Sequence, residues 1–444
     1  MSNETLWFEQ ALLPDGWVRD VRISVRDGRI AAVETGVAYR DGERHAIAIP
    51  GMANLHSHAF QRVIAGLTER RTGHDDSFWG WRDQMYRHQA RIGPDELQAI
   101  AALAYMEMLE GGFTRVGEFH YLHHDQDGRA FGDPGEMAGR IVAAAAESGI
   151  GLTLLPVFYA HAGFGGQAPT AGQARFVHYL DGYDRLLEAS RGHAAGLDDA
   201  VVGVAPHSLR AVTRDELSQL IPMAQGAPIH IHIAEQVREV EDCIGHTGQR
   251  PVAWLLDHAA VDAQWCLVHA THMTQDETQR LARSGAVAGL CPITEANLGD
   301  GVFPGEAFIG DGGRFGIGSD SNVLIHAAEE LRLLEYSQRL FLKKRTVIDG
   351  LYDKALRGGA QALGTVAGLA VGHPADIVSL DGDHPAFMER TGDDLLDAYV
   401  FAAAHGAIDG VWRHGRKVVS HGRHVAREAI LAAYRRSLRS MVSA

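Results

Sequence analysis

Eight short apolar runs, separated by helix-like segments, fill residues 51–370, and the way they end constrains the chain more than any single motif. The runs are expected to finish near His56, Tyr121, Tyr159, His207, Glu235, His269, Ile293 and Asp320. Strands that alternate with helices build parallel sheets, because each parallel neighbour needs a crossover. Eight such units predict a (β/α)8 TIM barrel. The runner-up is an open doubly wound sheet, but no Gly-rich phosphate loop follows the first run. Helix starts are expected at Asp133-Pro134-Gly135-Glu136, with Asp133 as cap and Pro134 at the first helical position. Thr213 with Glu216, and Thr274 with Glu277, have capping-box spacing. The first crossover, from His56 to the strand near Val116, is long enough to place an extra loop or helix over the barrel mouth.

Both ends of the chain read differently. Val21, Ile23 and Val25 alternate with polar residues and lead into an Asp27-Gly28 turn. Residues 375–381 read as a strand and residues 411–419 as a hairpin turning at Gly415. The expectation is one small β domain from residues 1–50 and 371–444, around a barrel of residues 51–370.

Six of the eight runs stop at polar side chains: His56 and His58; Glu118, His120 and Tyr121; His207, with Arg210 beyond; His230, His232 and Glu235; His269 and His272; and Asp320. In a (β/α)8 barrel these ends share one face, where active sites sit. His-x-His pairs are weak evidence alone. With 25 His in 444 residues, chance gives about 1.4 pairs. His56 and His58, however, close the first barrel strand, and alternate residues point to one side. With His232 and Asp320 they make a three-His, one-carboxylate set suited to Zn²⁺. Glu235 and His269 remain beside it as an acid and a base for hydrolysis at a C–N bond.

The net charge of −15 argues against a nucleic-acid or anionic-membrane surface, since either needs a basic face. No run reaches the roughly 18 apolar residues of a membrane span. The polar N-terminus shows no secretory signal, and Cys243, Cys266 and Cys291 are isolated and odd in number. A cytoplasmic protein is therefore expected.

These residues resemble the amidohydrolase superfamily. His56-x-His58, His232-Ile233-Ala234-Glu235, Val268-His269-Ala270 and Gly318-Ser319-Asp320 stand in the order of its deaminase-type signature. The fourth run ends in Pro206-His207-Ser208 with no lysine, which implies the mononuclear branch, one zinc per subunit. The β-rich ends resemble the superfamily's small β-sandwich. Longer motifs are similar to the formimidoylglutamate deiminase family: residues 54–62, Asp76-Ser77-Phe78-Trp79 with Trp81-Arg82, 118–121, 161–167, 207–210 and 294–301. One position departs: that family carries His after Gly-Ser-Asp-Ser, whereas Asn322 follows Ser321 here.

The resemblance implies zinc-dependent hydrolysis of N-formimino-L-glutamate to N-formyl-L-glutamate and ammonia, in histidine degradation. Metal-activated water would attack the formimino carbon. Glu235 would carry a proton to ammonia, and His269 and Asp320 would orient or activate the water. A substrate with two carboxylates needs local cations, and Arg82 and Arg210 are the candidates. Gln61, Tyr121 and His207 are further substrate contacts that the resemblance implies. A homodimer is the expected assembly. The alternative is a purine- or triazine-type deaminase of the same superfamily, and a more remote one is a catalytically inactive scaffold.

Overall fold

A computed structural model describes residues 4–70, 78–403 and 406–443. Asp76 and Ser77 of the quoted motif lie outside the described residues. Two sheets organise the chain. Strands β1 (Glu4–Leu13), β2 (Gly16–Arg26), β3 (Arg29–Glu34) and β4 (Glu43–Pro50) open it. The second sheet comprises β5 (Met52–Ser57), β6 (Phe113–His120), β7 (Gly151–Phe158), β8 (Val201–Val202), β9 (Ala205–Pro206), β10 (Ile229–Ile233), β11 (Trp265–His269), β12 (Val287–Leu290) and β13 (Arg314–Ile317). Strands β14 (Ile377–Leu380), β15 (Ile408–Arg413), β16 (Arg416–Ser420) and β17 (Arg423–His424) return to the first sheet, whose order is β17-β16-β15-β14-β4-β1-β2-β3.

The second sheet is parallel throughout and runs β10-β11-β12-β13-β5-β6-β7-β8, with β9 also on β7. Single bridges Val204↔Ile229 and Ser208↔His232 join its two edges, so β8 and β9 act as one broken fourth strand and the ring closes. This is the expected TIM barrel. Every residue of β5, β6, β7, β10, β11 and β12 is buried, as in a parallel sheet covered on both faces. The strands end within three residues of the positions read from the sequence.

The first sheet curls on itself. Phe8 on β1 and Trp412 on β15 lie three strands apart in sheet order, about 14 Å in a flat sheet. Their ring centroids are 6.4 Å apart, edge to face. They belong to a separate apolar cluster with Leu6, Val21, Ile23 and Ile377. Both expected turns are present: Asp27 and Gly28, and His414 and Gly415, all have positive φ, the signature of type I′ hairpins. The last helix, Arg427–Ser443, packs back against Pro94–Glu110 beside the barrel.

The capping boxes at Thr213/Glu216 and Thr274/Glu277 form as expected. The Asp133 expectation is corrected. That helix begins at Glu136 with Gly135 as its cap. Asp133 Oδ1 accepts from the Gly135 amide instead, which spends its capping capacity on a turn before the helix. Among its described residues the long first crossover carries a 3-10 turn, Ala59–Ile64, and two α-helices, Phe78–Gln89 and Pro94–Glu110; Trp81, Arg82, Met85 and Tyr86 of the first α-helix line the cavity at the barrel mouth.

Candidate metal centre and substrate cavity

The C-terminal ends of the barrel strands build the site through a local backbone exchange. The His58 amide donates to the Asp320 carbonyl at 2.9 Å, and the Asp320 amide donates to the His56 carbonyl at 2.9 Å. Gly318 permits this approach: a Cβ there would sit 2.8 Å from the His56 backbone nitrogen and oxygen. Non-glycine residues with positive φ cluster at these ends, namely Ala234, His269, Ala270, Asp320 and Asn322. Such conformations cost of order 1 kcal/mol each and persist where the surroundings over-determine them.

His56, His58, His232 and Asp320 are buried and form one group that could hold a metal ion. His56 Nε2 lies 3.2 Å from His58 Nε2 and 3.0 Å from His232 Nε2. Asp320 Oδ1 lies 3.4 Å from His56 Nε2 and 3.2 Å from His58 Nε2. Ligands about 2.0–2.1 Å from a tetrahedral ion are about 3.3 Å apart, so the spacing fits. The opposite ring atoms agree. His58 Nδ1 is 2.9 Å from the Phe119 carbonyl, and His232 Nδ1 is 3.1 Å from the His207 carbonyl. Donation from Nδ1 fixes the tautomer that leaves the Nε2 lone pair for an ion. Burial pushes the His56 imidazole down to about 3 and His232 well below its usual value, keeping both neutral. Burial alone would raise Asp320, but hydrogen bonding with His56 and His58 holds it well below the carboxylate range. Neutral imidazoles beside an ionised carboxylate are the protonation states that ligation requires.

His269 stands beside this group. Its Nδ1 is 3.3 Å from Glu295 Oε1, and its Nε2 faces Glu235 Oε1 at 3.8 Å and Asp320 Oδ2 at 3.9 Å. Burial would lower its pKa, but Glu235, Glu295 and Asp320 outweigh it and raise it to about 10. Burial raises the Glu235 carboxyl above its usual range, and Asp320 and Glu239 add to that against the opposing pull of His269. Backbone amides of Ala234 and Glu235 donate to Glu239, which anchors the turn carrying Glu235.

One cavity collects the remaining residues singled out from the sequence. Gln61, Arg82, Tyr121, His207 and Arg210 line it together with His58, His232, Glu235, His269 and Asp320. Gln61 Nε2 donates to Tyr121 Oη at 2.8 Å. Arg210 is half-buried, and its Nε, shielded from solvent, makes no hydrogen bond within the protein. Strand-end position alone does not place a side chain here. His230 Nε2 reaches the Ala362 carbonyl at 2.7 Å, away from the cavity. His120 packs with His123 at 5.2 Å between ring centroids, also outside it. Sequence reasoning missed Glu295, because the seventh run ends without a polar residue; the motif of residues 294–301 was the available signal. It also missed the aromatic wall of Tyr86, Tyr159 and Phe176.

Comparison with known proteins agrees with this architecture. A model of the amidohydrolase family matches residues 47–418. The chain belongs to that family. A second model, the N-terminal domain of formimidoylglutamate deiminase HutF, matches residues 5–46. This amidohydrolase is 49% identical to a formimidoylglutamate deiminase of Pseudomonas aeruginosa, over 97% of both chains. Its fold matches a crystal structure of an amidohydrolase from Brucella melitensis with a TM-score of 0.96 at 51% identity, over 99% of this chain and 100% of that one. An adenosine deaminase from Xanthomonas campestris with bound zinc matches at a TM-score of 0.83 and 22% identity, over 99% and 98% of the two chains, and shows the shared fold. Among the described residues no helix is long and apolar enough to cross a membrane.

Proposed function

We propose that this amidohydrolase hydrolyses N-formimino-L-glutamate to N-formyl-L-glutamate and ammonia. The observation that carries the reading is that Arg82 and Arg210 share one cavity with the three-His, one-Asp group, Glu235 and His269. Two guanidinium groups suit a substrate with two carboxylates. The relative named a formimidoylglutamate deiminase, at 49% identity, supports the same substrate.

His56, His58, His232 and Asp320 would hold one dication, and zinc is proposed from the donor set. When bound, such an ion polarises its ligands and lowers the pKa of water toward neutrality. The protein's own groups then do the following. Arg82, Arg210, Gln61, Tyr121 and His207 bind the glutamate moiety and turn the formimino carbon toward Asp320 and His269. His269, kept protonated by its carboxylate neighbours and with its ring fixed through Nδ1 by Glu295, orients the attacking water, whose proton passes to Asp320. Glu235, held protonated by burial, donates to the imine nitrogen, then takes the proton of the hydroxyl on the tetrahedral carbon and passes it to the departing ammonia as the carbonyl forms. The aromatic wall excludes bulk water from these transfers.

The alternative, a purine- or triazine-type deaminase, shares the metal group but needs stacking and amide readers in place of two arginines. The deciding experiment measures ammonia release from N-formimino-L-glutamate, its aspartate analogue and a nucleobase panel, with metal content determined on the same sample. Turnover of the glutamate compound is expected to exceed all others. Preference for a nucleobase, or metal-replete protein inert to the glutamate compound, would overturn the assignment. The proposed setting is the cytoplasm, and the proposed assembly is a homodimer.

A further inference from the structure

A second set of ligand-type atoms lies against the first. His269, Cys291 and Asp320, all buried, each offer an atom, and these atoms lie within 4.8 Å of one another. They come from the ends of β11, β12 and β13, three neighbouring strands of the barrel. Cys291 is a free thiol that packs with Leu55, Cys266 and Val268 inside the barrel. Asp320 has an oxygen for each set: Oδ1 faces His56 and His58, while Oδ2 faces His269. A carboxylate so placed can bridge two ions. The donor types also differ between the sets. Three imidazoles and a carboxylate are borderline donors, whereas a thiolate biases a site toward softer cations.

We infer that His269, Cys291 and Asp320 form a second, thiophilic cation site that takes Cd²⁺ or excess Zn²⁺ and switches the enzyme off. This rests on the proposed function only in its consequence: an ion on His269 and Asp320 takes up the two groups assigned to the attacking water. Binding itself is independent of the substrate. The thiol S–H bond breaks and its proton leaves to solvent as the metal–sulfur bond forms, and nothing is oxidised or reduced. Any proton on the ligating nitrogen of His269 leaves as well. Access is through the cavity, which His269 and Asp320 line. Cys243 sits on the helix Val237–Thr247, outside this group, and serves as the control thiol.

The test starts from full-length protein loaded with one zinc per chain and adds Cd²⁺. Three readouts are followed: ions bound per chain by equilibrium dialysis with elemental analysis, the ultraviolet cadmium–thiolate absorption, and ammonia release. Wild type is expected to take a second ion, show the absorption and lose activity, all reversed by a brief chelator wash. Cys291→Ala and Cys291→Ser should retain the first zinc and metal-free-buffer activity. They should lose the absorption and need at least 10–100-fold more Cd²⁺ for inhibition, since even outer partners of a ligand contribute that much. Cys243→Ala should behave as wild type. A wild type that binds a single ion at every concentration overturns the inference. So does unchanged second-ion binding in both Cys291 variants. If the second ion and its absorption appear in protein that never acts on N-formimino-L-glutamate, the substrate assignment falls and the second site stands.

Discussion

Asn322 Nδ2 donates to the His58 carbonyl at 3.0 Å, across two barrel strands that meet at the metal group. The same amide lies 3.1 Å from Ser57 Oγ and 3.1 Å from the Asp320 carbonyl, and Asn322 Oδ1 accepts from Ser319 Oγ at 2.6 Å. One side chain thus ties the end of β5 to the loop after β13. Asn322 is a clamp on the two segments that carry His58 and Asp320, and it does not line the cavity. Asn also suits the left-handed backbone there, φ 58.

Removing the clamp should loosen the ion without touching a ligand. Asn322→Ala is expected to weaken metal affinity by roughly 10–100-fold, as loss of an outer partner does, and to lower thermal stability. Asn322→His, the residue the resemblance expects and one that tolerates positive φ, should restore most of the affinity. Chelator competition followed by elemental analysis checks both. An alanine variant that holds its metal as wild type does would show that the clamp is dispensable.

Arg210→Met should separate substrate binding from metal binding. The variant removes the guanidinium proposed to meet a substrate carboxylate, and truncating one partner of such a pair in a closed complex costs about 2–5 kcal/mol. The expected result is a fall of about 100-fold or more in kcat/KM for N-formimino-L-glutamate, mainly through KM, with metal content unchanged. Unaltered kcat/KM would remove Arg210 from the substrate site.

Much of this site is legible in the sequence, and the reason is geometric. A barrel gathers the C-terminal ends of its strands, so His56, His58, His232, Glu235, His269 and Asp320 could be grouped by position alone. Depth was not readable. His230 and His232 share one side of a strand, yet His230 meets the Ala362 carbonyl, because the helix Leu351–Ala362 ends against the barrel there. Sequence alternation gives the side of a strand but not the layer. Glu295 escaped for another reason: it acts from a helix after β12, by fixing a ring contributed by β11.

Glu235→Gln tests the proton carrier. The amide keeps shape and burial but cannot move a proton, so kcat should fall about 10²–10⁴-fold, the usual worth of such a group, while metal content holds. In wild type the folded carboxyl is raised above its ordinary range. Its acid form therefore survives to higher pH than a free glutamate's, and kcat/KM should decline on the alkaline side as it ionises. A glutamine variant with the wild-type rate would rule out the role.

His120 predicts how the protein fails in acid, independently of the metal. It is fully buried, and burial lowers its pKa from 6.5 to about 3. Its Nε2 makes no hydrogen bond, and its facing neighbour, His123, is also pushed well below 6.5 by burial. Unfolding releases the ring to water, where it binds a proton below pH 6.5. The unfolded chain therefore holds more protons in that window, and stability falls as pH drops from 6.5 toward 3, by about 1.4 kcal/mol per pH unit for this group. At pH 5 the loss is about 2 kcal/mol relative to neutral pH. His120→Phe removes the titration while keeping an aromatic ring in the pocket. Urea unfolding of metal-free protein at pH 7 and pH 5 should show the variant losing about 2 kcal/mol less than wild type across the interval. The remaining loss belongs to the other buried imidazoles, His123 and His178 among them, whose pKa values burial lowers in the same way. Equal losses in the two proteins would mean that His120 is already protonated, or already solvated, in the folded state.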